Sequence, residues 1–419
     1  MRIAILTNEY PPHVYGGAGV HVEYLTRELA RLDNGQHDVT VLCFGEQSIH
    51  ESNLTIRGVR PNFTLPCQDP RHEKFMDTLA RDLLMAGSLR NIDVIHCHTW
   101  YTHLAGCLAR QLTGAPLILT THSLEPHRPW KVEQLGTAYQ ASTWIEHTAY
   151  RNADGVIAVS EAMREDVHAL YGVPRQRIRV IPNGIDLDQY KPTPDRTVLT
   201  RHGINPDQPY ILFVGRITRQ KGIIHLVHAI PHIHPGTQIV LCAGAPDTPE
   251  IDREMTAAVE EARRRTVNAV IWIARMLPKD DIIPLYSQAA LFVCPSVYEP
   301  FGIINLEAMA CGTPVVASAV GGIKEVVLAE ETGLLVPFEP RGPGDFEPRD
   351  PERFALDLAT AINRLLDDPE RRRHMGQSAR ERVERSFGWP NIARRTCDFY
   401  RELAVDERKL DVEGARRER

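Results

Sequence analysis

A chain of 419 residues, 43% hydrophobic and 24% charged, has ample material for two domains with substantial cores. Its 48 Lys and Arg against 54 Asp and Glu give a net charge of −6, which excludes a nucleic-acid binder driven by overall charge. No apolar run reaches the length of a membrane span, and the start MRIAILTNEYPP turns polar and Pro-rich after one short strand, unlike a signal peptide. The eight cysteines contain no C-x-x-C pair and read as reduced thiols of a cytoplasmic protein.

Short apolar, β-branched runs alternate with longer amphipathic segments. The predicted strands of the first half are Arg2–Thr7, Val39–Cys43, Val94–His96, Leu117–Thr120, Gly155–Val159 and Arg179–Ile181. Between the first two, Val22, Leu25, Leu29 and Leu32 form one apolar helical stripe. The alternation pauses over Asn183–Gln208, rich in Pro, Asp and Gly, which reads as the connection between domains. It restarts with Tyr210–Val214, Gln238–Ala243, Val270–Ile273, Leu291–Cys294 and Val315–Ala317. Continuous apolar strands separated by helices indicate parallel sheets covered on both faces, so the fold class is α/β with two doubly wound halves. The domain reading is 1–190, 191–386, a C-terminal helix at 387–405 and a frayed, charged tail at 406–419. Ligands of such sheets bind beyond the carboxyl ends of the strands, so the chemistry is expected in the loops there and in a cleft between the domains.

Three loops carry that chemistry. After the first strand, NEYPPHVYGGAGVHVEYL places Gly16, Gly17 and Gly19 before a helix, where backbone N–H groups and the helix N-terminus favour an anion. The pattern is neither G-x-G-x-x-G nor a P-loop. After Tyr210–Val214, GRITRQKG puts Arg216 and Lys221 in a strand-to-helix loop, two cations suited to a diphosphate. After Leu291–Cys294, PSVYEPFGIINLEAMACGTPVV sets Glu299 in an extended loop, with Gly302 opening a helix that carries Glu307. A carboxylate on a sugar or ribose hydroxyl is the economical reading of both acids.

These motifs resemble the retaining GT-B glycosyltransferases that include sucrose and glycogen synthases, and the resemblance covers essentially the whole chain. DVIHCHTWYTHLAG, THSLEPHRPWK, RNADGVIAVSEAMRED and IPNGID narrow it to the short actinobacterial-type glycogen synthases, including ADP-glucose-dependent α-maltose-1-phosphate synthases. The resemblance implies a GT-B fold, with two Rossmann-like domains facing across a cleft and the C-terminal helix returning to the N-terminal domain. It implies that Gly16, Gly17 and Gly19 offer N–H groups to a donor diphosphate, which Arg216 and Lys221 also bind. It implies that Glu307 holds the ribose, and that Glu299 with Gly302 and Ile303 holds the transferred glucose. His122 matches the family histidine near the reacting carbon, and Asn183 assists there. His98 faces the acceptor, and the loop EPHRPWK offers His127, Arg128 and Lys131 for an acceptor phosphate. The expected reaction moves glucose from ADP-glucose to glucose 1-phosphate, to the end of an α-1,4-glucan, or to both, with no cofactor and no metal.

Asp186 and Asp188 spell D-x-D, but their place after IPNG favours a turn over a metal site. The spacing of His96, His98 and His103 does not define a metal cluster. Neither a nucleic-acid nor a membrane partner is expected, and nothing in the sequence chooses between a monomer and a homodimer. Competing readings are a sucrose- or trehalose-type glycosyltransferase of the same fold and a non-catalytic glucan-binding regulator. The presence of Arg216, Lys221, Glu299 and Glu307 together speaks against the regulator.

Overall fold

The computed structural model describes residues 1–342 and 344–417, apart from the side chains of 133, 134 and 405–417. It divides into two units, one of residues 1–184 with 389–419 and one of 185–388. The chain crosses between them at Gly184/Ile185 and Gly388/Trp389, near the predicted boundaries at 190/191 and 386/387. The segment read as a connection, Asn183–Gln208, therefore lies mostly within the second unit, where it includes a short helix at Thr197–Arg201.

The first unit holds β1 (Arg2–Thr7), β2 (Asp38–Phe44), β3 (Ser48–Glu51), β4 (Leu54–Val59), β5 (Val94–His98), β6 (Leu117–Thr121), β7 (Gly155–Ala158) and β8 (Ile178–Val180). Their spatial order is β3-β4-β2-β1-β5-β6-β7-β8, and every pairing is parallel except β3 with β4. The second unit holds β9 (Tyr210–Arg216), β10 (Gln238–Gly244), β11 (Val270–Ile273), β12 (Leu291–Cys294), β13 (Val315–Ser318) and β14 (Gly333–Val336). Its order is β11-β10-β9-β12-β13-β14, parallel throughout. In each sheet the winding direction reverses once, between β1 and β5 and between β9 and β12. Those two points are where a doubly wound sheet opens a crevice for ligand.

The strands β3, β4 and β14 escaped the sequence reading. β3 is fully exposed, and β4 alternates Thr55 and Arg57 with its buried Leu54 and Ile56, so neither forms a continuous apolar run. β14 has only four residues behind a turn.

Val22, Leu25 and Leu29 are buried on the helix that opens at Gly17, and Leu32, where the backbone leaves helical geometry, is buried with them in the core that includes Ile3 and Ile5 of β1. Trp389, Ile392 and Tyr400 of the C-terminal helix join the same core, which ties that helix to the first unit. A Cβ on Gly184 would lie 2.5 Å from the Trp389 ring, so glycine is needed where the chain leaves the unit. The C-terminal helix runs from Trp389 to Arg417, so its backbone continues through most of the segment expected to fray. Residues 418 and 419 lie outside the described residues. Among the described residues no helix is long and apolar enough to cross a membrane. All eight cysteines are free, six of them buried.

One core residue breaks the apolar pattern. Asp82 is fully buried on the helix Glu73–Ser88, with only the weak approach of the Ala105 backbone N–H to offset the burial of its carboxylate. Burial pushes its pKa well above the usual carboxylate range, which favours the protonated acid in the native state. A group whose pKa is raised on folding stabilises fully only below its unfolded pKa and loses that contribution as pH rises. Asp82→Asn is therefore expected to raise the melting temperature by a few degrees at pH 8 and by less at pH 5, measured by scanning calorimetry.

Candidate active site

The crevice of the second unit is built from the loops after β9 and β12. Arg216 ends β9, and its Nη1 donates to Asp247 Oδ1 at 3.0 Å. Lys221 Nζ donates to Glu299 Oε2 at 2.7 Å, and Ser296 Oγ donates to the same oxygen at 3.3 Å. Backbone geometry holds these loops together. Gly222 has φ +59°, and a Cβ there would fall 2.1 Å from the carbonyl oxygen of Pro295. The Val297 N–H donates to the Gln220 carbonyl at 3.0 Å. Gly321, with φ +44°, leaves no room for a Cβ beneath the Glu299 carbonyl, and the Gly322 N–H donates to that carbonyl at 3.0 Å. Glycines thus set how closely the Lys221 and Glu299 loops approach.

Gly302, with φ +103°, is the residue from which the helix Ile303–Ala310 starts, and that helix carries Glu307. Tyr190 Oη donates to Glu307 Oε1 at 3.1 Å and Tyr286 Oη donates to Oε2 at 3.0 Å. Burial raises the Glu307 pKa, and the two tyrosine hydroxyls pull it back. Arg216, Lys221, Glu299, Gly302, Ile303 and Glu307 therefore all lie at the carboxyl ends of β9 and β12 or on the helix that follows β12.

In the first unit the Gly-rich loop meets its own anion. Glu9 Oε2 accepts the N–H groups of Tyr15 and Gly16, both at 2.8 Å, and a Cβ on Gly19 would sit 2.8 Å from the same oxygen. The Gly16 N–H expected to face a diphosphate is thus donated to Glu9 here. A turn of convergent N–H groups attracts a carboxylate as well as a phosphate.

His122 lies just beyond β6 among imidazoles that the sequence does not group. His98 Nδ1 and His122 Nε2 are 3.0 Å apart, and the His21 ring packs edge-on to His122 at 4.8 Å between centroids. His21 Nδ1 donates to Asn183 Oδ1 at 2.7 Å, which connects Asn183 to this cluster. His96 stands 4.1 Å from His98 but spends both nitrogens on Tyr400 and Thr120, each at 2.6 Å. His103 turns its ring edge to Tyr150. Burial drives the His21 pKa down to about 4 and those of His96, His98 and His122 well below the usual value, so the group is neutral. Thr99, directly after His98, has φ +66°, strained for a β-branched residue, and donates its hydroxyl to Asn8 Oδ1 at 2.8 Å.

The expected acceptor residues form a second cluster. Arg128 Nη1 and Lys131 Nζ lie 3.7 and 3.8 Å from Glu125 Oε1, and Glu125 is buried. Lys131 and Lys74 stand over the Tyr101 ring at 5.6 and 5.8 Å. Lys131 is only 7% exposed, and burial pulls its pKa down to about 8. Glu146, buried behind the cluster, accepts from the Glu125 N–H at 2.8 Å and is pushed up to about 8 by burial. His127 Nδ1 lies 3.6 Å from Asp166. Asp186 Oδ1 accepts the N–H groups of Asp188 and Gln189, both at 3.0 Å, which is a turn.

Sequence reasoning missed Glu9, His21, Glu125, Tyr190, Asp247 and Tyr286. A signal was available for His21, one turn into the helix that opens on Gly17, and for Glu9, in the loop after β1. Asp247, Tyr190 and Tyr286 meet their partners only through the fold.

Two family descriptions match. Glycosyltransferase Family 4 covers residues 15–189, and Glycosyl transferases group 1 covers 196–382. The chain is 47% identical to an alpha-maltose-1-phosphate synthase of Mycolicibacterium smegmatis over 97% of this chain and all of that protein. It is 30% identical to a glycogen synthase of Mycobacterium tuberculosis over 98% of this chain and 96% of that one. Among solved structures, sucrose-phosphate synthase of Thermosynechococcus elongatus aligns with a TM-score of 0.75 at 29% identity, covering 97% and 99% of the two chains. The catalytic domain of Arabidopsis thaliana starch synthase IV, bound to ADP and acarbose, has a TM-score of 0.71 at 18% identity, a likeness of fold. With its two Rossmann-like units, this chain belongs to the GT-B glycosyltransferases, with a family 4 N-terminal domain and a group 1 C-terminal domain.

Proposed function

We propose that this glycosyltransferase moves glucose from ADP-glucose to glucose 1-phosphate, giving α-maltose 1-phosphate with retention at the anomeric carbon. The observation that carries the reading is the 47% identity across essentially the whole of both chains with alpha-maltose-1-phosphate synthases. The grouping of Lys74, Arg128 and Lys131 around Tyr101, with Glu125 offsetting one charge, supports a phosphate-bearing acceptor. The 30% identity to a glycogen synthase favours an α-glucan end as the second acceptor.

In this reading Arg216 and Lys221 bind the donor diphosphate, Glu307 the ribose, and Glu299 with Gly302 and Ile303 the glucose. The bond from the anomeric carbon to the diphosphate oxygen breaks as the acceptor oxygen attacks from the same face. The acceptor's hydroxyl proton passes to the departing phosphate. In this reading the work is electrostatic, with Arg216 and Lys221 stabilising the leaving group. By its likeness to the family histidine, we assign His122, neutral and beside His98, to the transferred sugar. The free thiols of all eight cysteines support a reducing, cytoplasmic setting.

Incubating the enzyme with ADP-glucose and either glucose 1-phosphate or glycogen, with products followed by NMR, tests the acceptor. Rapid α-maltose 1-phosphate formation is expected, and exclusive extension of glycogen would overturn the reading. Because Lys131 is charged below about pH 8 and loses its charge above it, kcat/KM for glucose 1-phosphate should fall through that pH. The same parameter for glycogen should stay level there. Arg216→Ala and Lys221→Ala should each lower kcat by about a hundredfold or more, and unchanged turnover in either would remove its assigned role.

A further inference from the structure

Three imidazoles of the first unit, His122 among them, converge as a donor set, an arrangement that the transfer reaction as proposed does not use. One ring nitrogen from each of His21, His98 and His122 lies within 4.8 Å of the other two. Three nitrogens around a zinc ion at about 2.0–2.1 Å would sit about 3.3 Å apart in a tetrahedral arrangement, so small ring movements close the set. The 3.0 Å between His98 Nδ1 and His122 Nε2 already meets that spacing. His98 Nε2 is buried without a hydrogen-bond partner. His21 donates Nδ1–H to Asn183, which leaves its Nε2 as a lone pair and fixes the ring, as an outer hydrogen bond does for a metal-ligating histidine. The Trp389 ring edge packs on His21 at 5.3 Å. His21 and His98 are buried, while His122 is partly exposed and gives the ion its approach.

We propose that His21, His98 and His122 form an inhibitory binding site for a divalent cation of the zinc class. The ligands are neutral imidazoles, which suit Zn²⁺, Co²⁺ and Ni²⁺ and disfavour Mg²⁺ and Ca²⁺. No cation or arginine among the described residues pairs with these three rings. In the other candidate group, Asp33, His37 and Cys397, the Asp33 carboxylate is already paired with Arg401. Ligation takes the place of the His98–His122 hydrogen bond, and the ring proton of His98 moves to its free Nε2. The His122 ring, until then held only by His98, is drawn onto the metal and re-oriented relative to the sugar. The inhibitory part rests on the role given to His122 under Proposed function, whereas the binding part does not.

The test uses the untagged, full-length enzyme. Zn²⁺ titration calorimetry should show one ion bound per chain, removed by EDTA. His21→Phe keeps the ring packing against Trp389 and removes the nitrogens, and it should weaken binding at least a hundredfold. Co²⁺ loaded into the wild-type enzyme should give the visible bands of nitrogen ligation without a thiolate charge-transfer band, a readout that needs no variant. Turnover should fall as zinc binds and return with EDTA. Absence of stoichiometric binding, or binding untouched by His21→Phe, would overturn the site. A thiolate band would overturn it too, by placing the ion at Cys397. Binding at the trio with unchanged turnover would uphold the site and contradict the role of His122 instead.

Discussion

A parallel sheet buried on both faces has nowhere within its body for charged chemistry, and that constraint organises this protein. The central strands of both sheets are inward-facing throughout, with β1, β5, β6, β9, β10 and β12 almost wholly buried. Polar groups can gather only where strands end and the backbone turns, and connection geometry leaves a gap only where the winding reverses. The loops after β1 and β5 and those after β9 and β12 occupy those gaps. They hold Glu9, the glycine turn, Arg216, Lys221 and Glu299, while His122 and the Arg128–Lys131 cluster follow the neighbouring strand β6.

A second regularity is that the chain carries counter-charges of its own at these loops. Asp247 pairs with Arg216, Glu299 with Lys221, Glu125 with Arg128 and Lys131, and the Glu9 carboxylate fills the glycine turn. Partly buried cations would otherwise be costly to hold in place. Each pair keeps its cation oriented in the crevice, and an incoming phosphate then competes with a carboxylate that is already seated. Lys221 and Glu299 matter most, because the same contact that positions the cation for the diphosphate positions the acid for the sugar.

Much of this was legible in the sequence, for physical reasons. Runs such as YILFV and LFVC read as buried strands, and Gly302 read as the opening of the helix that carries Glu307, as the structure has it. The motifs after β9 and β12 sit close to each other in sequence logic, since each directly follows its strand. What escaped were relations between distant segments. Tyr190 and Glu307 are 117 residues apart, and His21 and Asn183 are 162 apart, so no local pattern joins them. The edge strand β3 and its neighbour β4 escaped because an exposed margin of the sheet does not impose an apolar run. The competing anion in the glycine turn escaped because Glu9 looks like any loop acid until its carboxylate is seen beneath the Tyr15 and Gly16 amides.

The central claim is the division of labour in the Lys221–Glu299 contact, with the lysine on the diphosphate and the glutamate on the sugar. Titration calorimetry of Glu299→Gln with ADP and with a non-reacting ADP-glucose analogue tests it most directly. The account predicts that ADP binds as it does to the wild type, while the extra affinity contributed by the glucose is lost. Equal loss of affinity for both ligands would contradict it, since Glu299 would then be serving the diphosphate side alone.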